Sequence, residues 1–441
     1  MQTVWNQSVS LPSFPPLKKD IKTGVLVIGG GITGILCAYM LKQIGVPCVL
    51  VEADRLCGGV TGCTTAKITV QHGLIYHQLI RRFGEGKAKL YLEANQAALD
   101  RYRALARDID CDFEEQSACV YTREPKGKKK IEQELAALHR LGYPAVSVPR
   151  TPLPFPTVDA VSFPDQAQFH PLKFIAGLLD GLDGLTIYEH TTVRELMDRT
   201  AVTDGGRIRA EAIIVATHFP FLNKHGSYFL KLYQHRSYVI ALEHAADVHG
   251  MYVDESERGL SFRSFGDLLL LTGGGHRTGQ QGGGWKELRD FAKVHYPQAR
   301  EVRHWATQDC MSLDGVPYIG QYSRRTPGLY VATGFNKWGM TSAMVAALML
   351  SDRIAGHRSP YESVFSPSRS ILRPQLAVNA AGAVLNLLTP TAPRCPHLGC
   401  ALKWNPQEHT WDCPCHGSRF TEDGELLDNP ATGDLKRRGS R

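Results

Sequence analysis

The sequence predicts an α/β protein in three parts: a parallel-sheet domain at the front, an α+β domain threaded through it, and a small β unit at the end. Three observations carry this. An apolar β run, Val25 to Ile28, leads through the turn GGGITG into the helical pattern ILCAYMLKQIG and then a second apolar run, Val46 to Val51, closed by Glu52. Residues 81 to 159 hold long charged helical stretches such as EGKAKLYLEANQAALDRYRALARDI, whereas residues 226 to 299 hold strand-like runs such as RSYVIALE and DLLLLTGG. Four of the 11 cysteines crowd into the last fifty residues, in CPHLGC and CPCHGS.

Length and composition agree with a globular protein of two to three domains, each able to bury a core. The 50 basic residues against 43 acidic ones leave a formal charge of +7. The basic runs Lys126 to Lys130 and Lys436 to Arg438 have no aromatics interleaved, so they read as solvated surface and no nucleic-acid partner is expected. The start, MQTVWNQSVSLPSFPPLKKD, lacks a signal-peptide pattern, and no apolar run is long enough to span a bilayer. A cytoplasmic protein without an integral membrane segment is expected. Clustered cysteines in such a chain point to a metal site rather than to a disulfide framework.

At the front end, strand, glycine turn, helix, strand and acid follow one another as a Rossmann-like dinucleotide cradle requires. Gly29 permits the tight turn, Gly31 lets backbone approach a pyrophosphate, and Gly34 lets the helix close on the strand. Ile32 and Thr33 open the helix whose N-terminus faces the phosphates. Glu52, followed by Ala53, stands where a ribose diol is held.

Further motifs settle which dinucleotide. RLCGGVTGCTTAKITVQHGL, with Thr64, Thr65 and Ala66, resembles the second cofactor-contacting loop of the D-amino-acid oxidase and glycine oxidase superfamily. RIRAEAIIVATHFP ends at Ala216 and Thr217, where that superfamily packs against its cofactor. DGVPYIG and GLYVATGFNKWGMTSAMVAALMLSDRI resemble its last cofactor strand and helix, with Gly334, Lys337, Gly339, Met340 and Thr341 at the helix start. The resemblance spans roughly residues 20 to 360. It implies FAD, and a helix dipole aimed at the flavin pyrimidine ring. It also implies a discontinuous FAD-binding domain of the glutathione-reductase type, assembled from 20–80, 160–225 and 300–360. Residues 81–159 and 226–299 then form the α+β substrate domain, an antiparallel sheet with helices over the flavin.

The tail offers two loops, each with one thiolate and one imidazole: Cys395 with His397, and Cys413 with His416. Zinc accepts such ligands, but one residue between Cys395 and His397 is short of its usual two to four. A Rieske 2Fe-2S cluster takes two thiolates on one iron and two imidazoles on the other. With its HLGC and CHGS surroundings, the tail closely resembles Rieske proteins. The resemblance to those of quinol-oxidising complexes implies a disulfide between Cys400 and Cys415. It also assigns Ser418 as a hydrogen-bond donor to the cluster, while Phe420 stands where that group has a donating tyrosine. A middling potential is expected within the Rieske window of roughly −150 to +300 mV. Residues 361–394, with the helical run PQLAVNAAGAVLNLL, link the domains, and 395–441 form the Rieske unit. That leaves too few residues for a full supporting barrel, so the cluster loops are expected to lean on the flavoprotein body.

Together these motifs describe an FAD-dependent oxidoreductase that dehydrogenates a small molecule beside an amine nitrogen, then passes electrons singly through the cluster to an external carrier. The same parts also run in reverse, from a reduced donor to an unsaturated or imine substrate. A redox sensor or electron-transfer module without a substrate is a third reading. For substrate contacts, Arg263 either meets a carboxylate or closes a surface ion pair. His276 either reaches the flavin edge or bonds backbone, and Lys67 either tunes the flavin or pairs with a phosphate or acid. Trp338 either walls the pocket or fills the core, and Cys63 is a candidate for a covalent flavin link. No dedicated general base stands out.

Overall fold

The computed structural model describes residues 2–256, 258–390 and 393–436. Arg437 and Arg438 of the second basic run, and the end of the 395–441 unit, lie outside them. Strand Ile21–Ile28 is central to an eight-stranded sheet, paired in parallel with Cys48–Val51 on one side and Gly206–Val215 on the other. Thr186–Tyr188 and Leu329–Thr333 extend the two flanks in parallel, and Tyr318–Gln321 closes one edge antiparallel. The chain leaves the central strand first toward one flank and later returns on the other. A switch of this kind opens a crevice at the carboxyl ends of the strands. Helices Ile32–Gln43 and Gly339–Ile354 pack together against this sheet; they bury nine and eleven residues respectively, so most of their side chains are core.

A nine-stranded sheet stands over the crevice. Its long members, Leu232–Glu243, Leu268–Arg277 and Arg300–Ser312, pair antiparallel, with alternate side chains facing the crevice and the apolar core beyond. Three of its strands, Lys67–Ile68, Asp159–Gln168 and Arg300–Ser312, come from segments expected in the FAD domain. Arg300–Ser312 pairs with Leu232–Glu243 along its whole length, from Ser312 opposite Leu232 to Arg300 opposite Glu243. Which sheet an apolar strand joins depends on partners distant in sequence, and local pattern carries no trace of them. Helix Glu85–Leu105 runs as the charged pattern suggests and packs on Gly339–Ile354.

The N-terminal segment is part of the body. Trp5 is fully buried, and its indole N–H donates to the Thr64 carbonyl at 2.8 Å. Near the other end, helix Pro374–Leu388 precedes a four-stranded antiparallel sheet, Lys403–Asn405, Thr410–Asp412, Arg419–Thr421 and Leu426–Asp428. Among the described residues no helix is long and apolar enough to cross a membrane.

Candidate active site and metal centre

A cavity of about 1410 Å³ fills the crevice between the two large sheets. At its nucleotide end Gly29 has φ +111°, and a Cβ there would come within 2.6 Å of the Ala216 carbonyl oxygen. A Cβ on Gly34 would meet the Gly29 carbonyl oxygen at 1.9 Å, so only glycine lets the helix close on its own turn. Gly31, Ile32 and Thr33 face the cavity, and Gly31 supplies no side-chain cap to the helix. The helix start is thereby left to an anionic ligand. Glu52 accepts from the Gly30 and Asp54 amides at 2.6 and 3.0 Å. Burial raises its pKa against those bonds. With Ala53 it lines the cavity. This donor set and shape fit a dinucleotide.

Thr64, Thr65, Lys67, Ala216, Thr217, Gly334, Lys337, Trp338, Gly339 and Met340 line the cavity further along. Ala66 and Thr341 are buried behind it. Ala66 is held at φ +52°, and the Thr341 hydroxyl donates to the Thr69 carbonyl at 3.1 Å and meets His72 Nε2 at 3.0 Å. Trp338, half-buried, stacks on the buried His72 with ring centroids 5.1 Å apart, so it is cavity wall braced by a core ring. The Lys67 ammonium bonds the Ser261 hydroxyl, and burial, with the neighbouring Arg263 charge adding, lowers its pKa to about 7.

Arg263 is neither of the things expected of it. It is 1% exposed and lies outside the cavity wall, with its guanidinium donating to the carbonyls of Thr65, Ala66 and Phe169 and resting over Trp5. A strand-end arginine pointing inward finds backbone carbonyls there rather than a carboxylate, and it braces the flavin loop from behind. Cys63 is likewise absent from the cavity lining; its carbonyl receives the Trp305 indole N–H at 2.9 Å, and burial raises its thiol to about 11. His276 does reach the cavity, its ring between the Tyr238 hydroxyl and the Arg277 carbonyl at 3.0 and 2.9 Å.

The roofing sheet adds residues the sequence reading missed. His235 and Ser237 from one strand and Thr307, Asp309 and Met311 from its neighbour alternate into the cavity, with His218 beside them. Burial raises the Asp309 carboxyl above its usual range while Lys337 and His218 pull it back. Burial also lowers the imidazole of His235 to about 3 and lowers that of His218, so both are neutral. His235 Nδ1, His218 Nε2 and the Thr307 hydroxyl are buried without a protein partner. A period-two reading of both strands, once aligned in register, would have exposed this set.

The tail loops are two copies of one turn. Cys395 N–H donates to the Cys400 carbonyl and Gly399 N–H to the Cys395 carbonyl, both at 2.9 Å. Cys413 N–H donates to Ser418 and Gly417 N–H to Cys413 in the same way, at 2.8 and 2.9 Å. Gly399 and Gly417 sit at φ +78° and +86°, as this turn demands. Cys400 and Cys415 form a disulfide across the loops. The His397 and His416 rings stand perpendicular, 4.9 Å apart. Burial lowers them to about 4 and 3, so both are neutral, and both Nδ1 atoms are buried without a protein partner. His397 Nε2 lies 2.9 Å from Asn223 Oδ1, an acceptor that fixes the proton on Nε2 and leaves Nδ1 as a ligand. The Cys395 thiol falls to about 7, chiefly through its hydrogen bond with Cys413, and Ser418 contributes. Two sulfurs outside the disulfide and two Nδ1 atoms on the facing loops are the donor set of a Rieske cluster.

The loops lean on the body as expected. Gln234 donates to the His416 and Asn429 carbonyls at 3.1 and 3.2 Å, and Gln308 to the Gly417 carbonyl at 2.9 Å. A Cβ on Gly279 would meet Pro414 at 2.7 Å. Beneath them Arg236 and Glu408 form a buried ion pair between body and tail. Asn429 donates to the Thr217 and Phe219 carbonyls at 2.7 and 2.9 Å, and the Phe219 ring faces His416 edge-on at 6.3 Å.

A split parallel-sheet domain with a dinucleotide-shaped crevice, an antiparallel roof and a two-thiolate, two-imidazole tail defines a flavoprotein oxidoreductase carrying an iron-sulfur centre. The chain belongs to the FAD dependent oxidoreductase family, whose profile matches residues 24–353; that of the Rieske [2Fe-2S] domain matches 385–437. FAD and a 2Fe-2S cluster are its cofactors. The Bacillus subtilis protein YhfW, by name a Rieske 2Fe-2S iron-sulfur protein, is 37% identical over 99% of this chain and 97% of its own length. Glycine oxidase from Geobacillus kaustophilus superposes with a TM-score of 0.67 at 17% identity, over 79% of this chain and 99% of that one. L-proline dehydrogenase from P. horikoshii gives 0.66 at 16% identity, over 80% and 98%.

Proposed function

We propose that this oxidoreductase dehydrogenates a small amine or amino-acid-like substrate and delivers the electrons singly, through its own cluster, to an external carrier. When bound, FAD supplies two-electron oxidation of a C–H beside nitrogen and the cluster supplies one-electron transfer. One observation carries the reading: Ala216, Thr217 and His218 wall the flavin cavity, while Phe219 and Asn223 of the same turn touch the two cluster histidines. A carrier partner needs no channel to the flavin if the turn joins both sites. The names of the similar structures, glycine oxidase and L-proline dehydrogenase, support an amine substrate.

The roof residues suit that substrate. An ammonium entering beside Asp309 meets a carboxylate, and His235 Nδ1 offers a second acceptor. The imidazole, lowered to about 3, accepts a hydrogen bond without taking the proton. Asp309, raised by burial, is the stronger base of the two. Lys337 offsets part of that rise.

Anaerobic titration of the holoprotein with glycine, L-proline and other small amines tests this. Absorbance should bleach the flavin, and EPR should then detect a reduced cluster. Full flavin reduction beside an EPR-silent cluster overturns the route, and no reduction by any amine overturns the substrate class.

A further inference from the structure

Helix Pro374–Leu388 is built inside out. Its inward positions are Gln375, Leu376, Asn379, Gly382, Ala383 and Asn386, all but Leu376 polar or small. Asn379 accepts from Arg277 at 2.8 Å, and the Asn386 carbonyl accepts from the Ala401 amide at 3.1 Å. The outward positions are apolar: Val384, Leu385 and Leu388 are 54%, 68% and 76% exposed, and Leu372 just ahead is 79% exposed, while Val378 turns toward the rim of the cavity. A helix on a globular body normally shows the reverse pattern. The next cluster loop adjoins it, because the Arg394 guanidinium donates both to the Leu387 carbonyl at the helix end and to the Gly399 carbonyl, at 3.0 and 3.1 Å. Leu398 of that loop is 40% exposed.

Charge says what covers this face. No acidic residue occurs between Glu362 and Glu408, whereas Arg394 and Lys403, both exposed, follow the helix; Arg373 at its start is half-buried against the Phe83 ring. Such a surface complements anionic headgroups with hydrocarbon behind them. A second copy is a poorer occupant: one helix face about 22 Å long presents too little for the ~800 Å² per partner of a stable interface. At 15 residues the helix is also too short to span a bilayer, so it would lie in the interface plane.

We propose that helix Pro374–Leu388 seats this protein on an anionic bilayer surface, with the Rieske loops held beside the membrane. The reduced cluster would then meet its carrier at that surface.

Flotation of the full-length holoprotein with vesicles tests the proposal, using phosphatidylcholine alone and phosphatidylcholine mixed with phosphatidylglycerol. The wild type should float with the mixed vesicles and bind the neutral ones less. Leu385→Glu with Leu388→Glu should lower the partition by at least about tenfold, while flavin and cluster absorbance stay unchanged. If that pair fails to fold, Leu372→Glu serves, as it lies ahead of the helix, and should weaken binding in the same direction. Absence of flotation overturns the proposal. So does equal flotation of a folded variant, or a concentration-dependent dimer that the same substitutions abolish, which would assign the face to a second copy.

Discussion

Glu408→Ala is the sharpest perturbation of the joint between body and tail. The carboxylate is 6% exposed and the Arg236 guanidinium 2%. Burial pushes the Glu408 carboxyl up, yet Arg236 and Arg419 together hold it below the usual range, so it is charged and paired. Truncation removes both hydrogen bonds from Arg236 and one from Tyr238, whose hydroxyl donates at 3.1 Å. Arg419 is spared, because Asp412 and Asp428 still accept from it at 3.0 and 3.1 Å. The loss is thus that of one buried cation left without its carboxylate, about 3–5 kcal/mol. Replacing the pair together, Arg236→Met with Glu408→Leu, should recover most of it, since apolar side chains of similar volume need no charge partner. Denaturation in urea, followed by cluster absorbance for the tail and flavin fluorescence for the body, separates the two domains. The cluster signal should fall first in Glu408→Ala. A loss under about 1 kcal/mol would place the pair with solvent-screened surface bridges and refute the reasoning.

Ser418→Ala should lower the cluster potential by roughly 20–65 mV, the worth of one neutral hydrogen bond, as read by protein-film voltammetry; no change would remove Ser418 from the cluster's hydrogen-bond shell. Lys67, lowered from 10.5 to about 7, binds a proton in the unfolded chain but not in the folded one between those values. Stability should therefore rise with pH across that window, and Lys67→Met should flatten the rise in pH-dependent denaturation. Cys400→Ser with Cys415→Ser opens a link of sequence separation 15, and should cost the tail about 3 kcal/mol with loss of cluster during purification. Arg263→Met strips donors from the Thr65, Ala66 and Phe169 carbonyls, and should weaken FAD binding by at least about tenfold in fluorescence titration.

The motifs that are local in the chain were legible before any coordinates. The glycines at 29, 31 and 34 answer to steric limits set within one strand-turn-helix unit, and the two tail turns close over five residues each. The same locality explains what was missed. Arg263 looked like a surface or substrate arginine because LSFRS does not reveal that Trp5 and the Thr65 carbonyl lie beneath it. His235 and Asp309 are 74 positions apart in sequence yet face each other across paired strands, so no window could join them.

Ligand chemistry was written into the sequence: that the chain takes a dinucleotide and an iron-sulfur cluster follows from side-chain type and short spacing, which a chain fixes by covalent geometry alone. Which of these sites stand side by side was decided by folding. Only the pairing of Leu232–Glu243 with Arg300–Ser312, and the docking of Gln234, Gln308 and Asn429 on the tail, bring the cluster histidines against the turn that walls the flavin cavity. Contacts of that range are settled by burial and hydrogen-bond satisfaction over the whole core, quantities that belong to the folded body and to no segment of it.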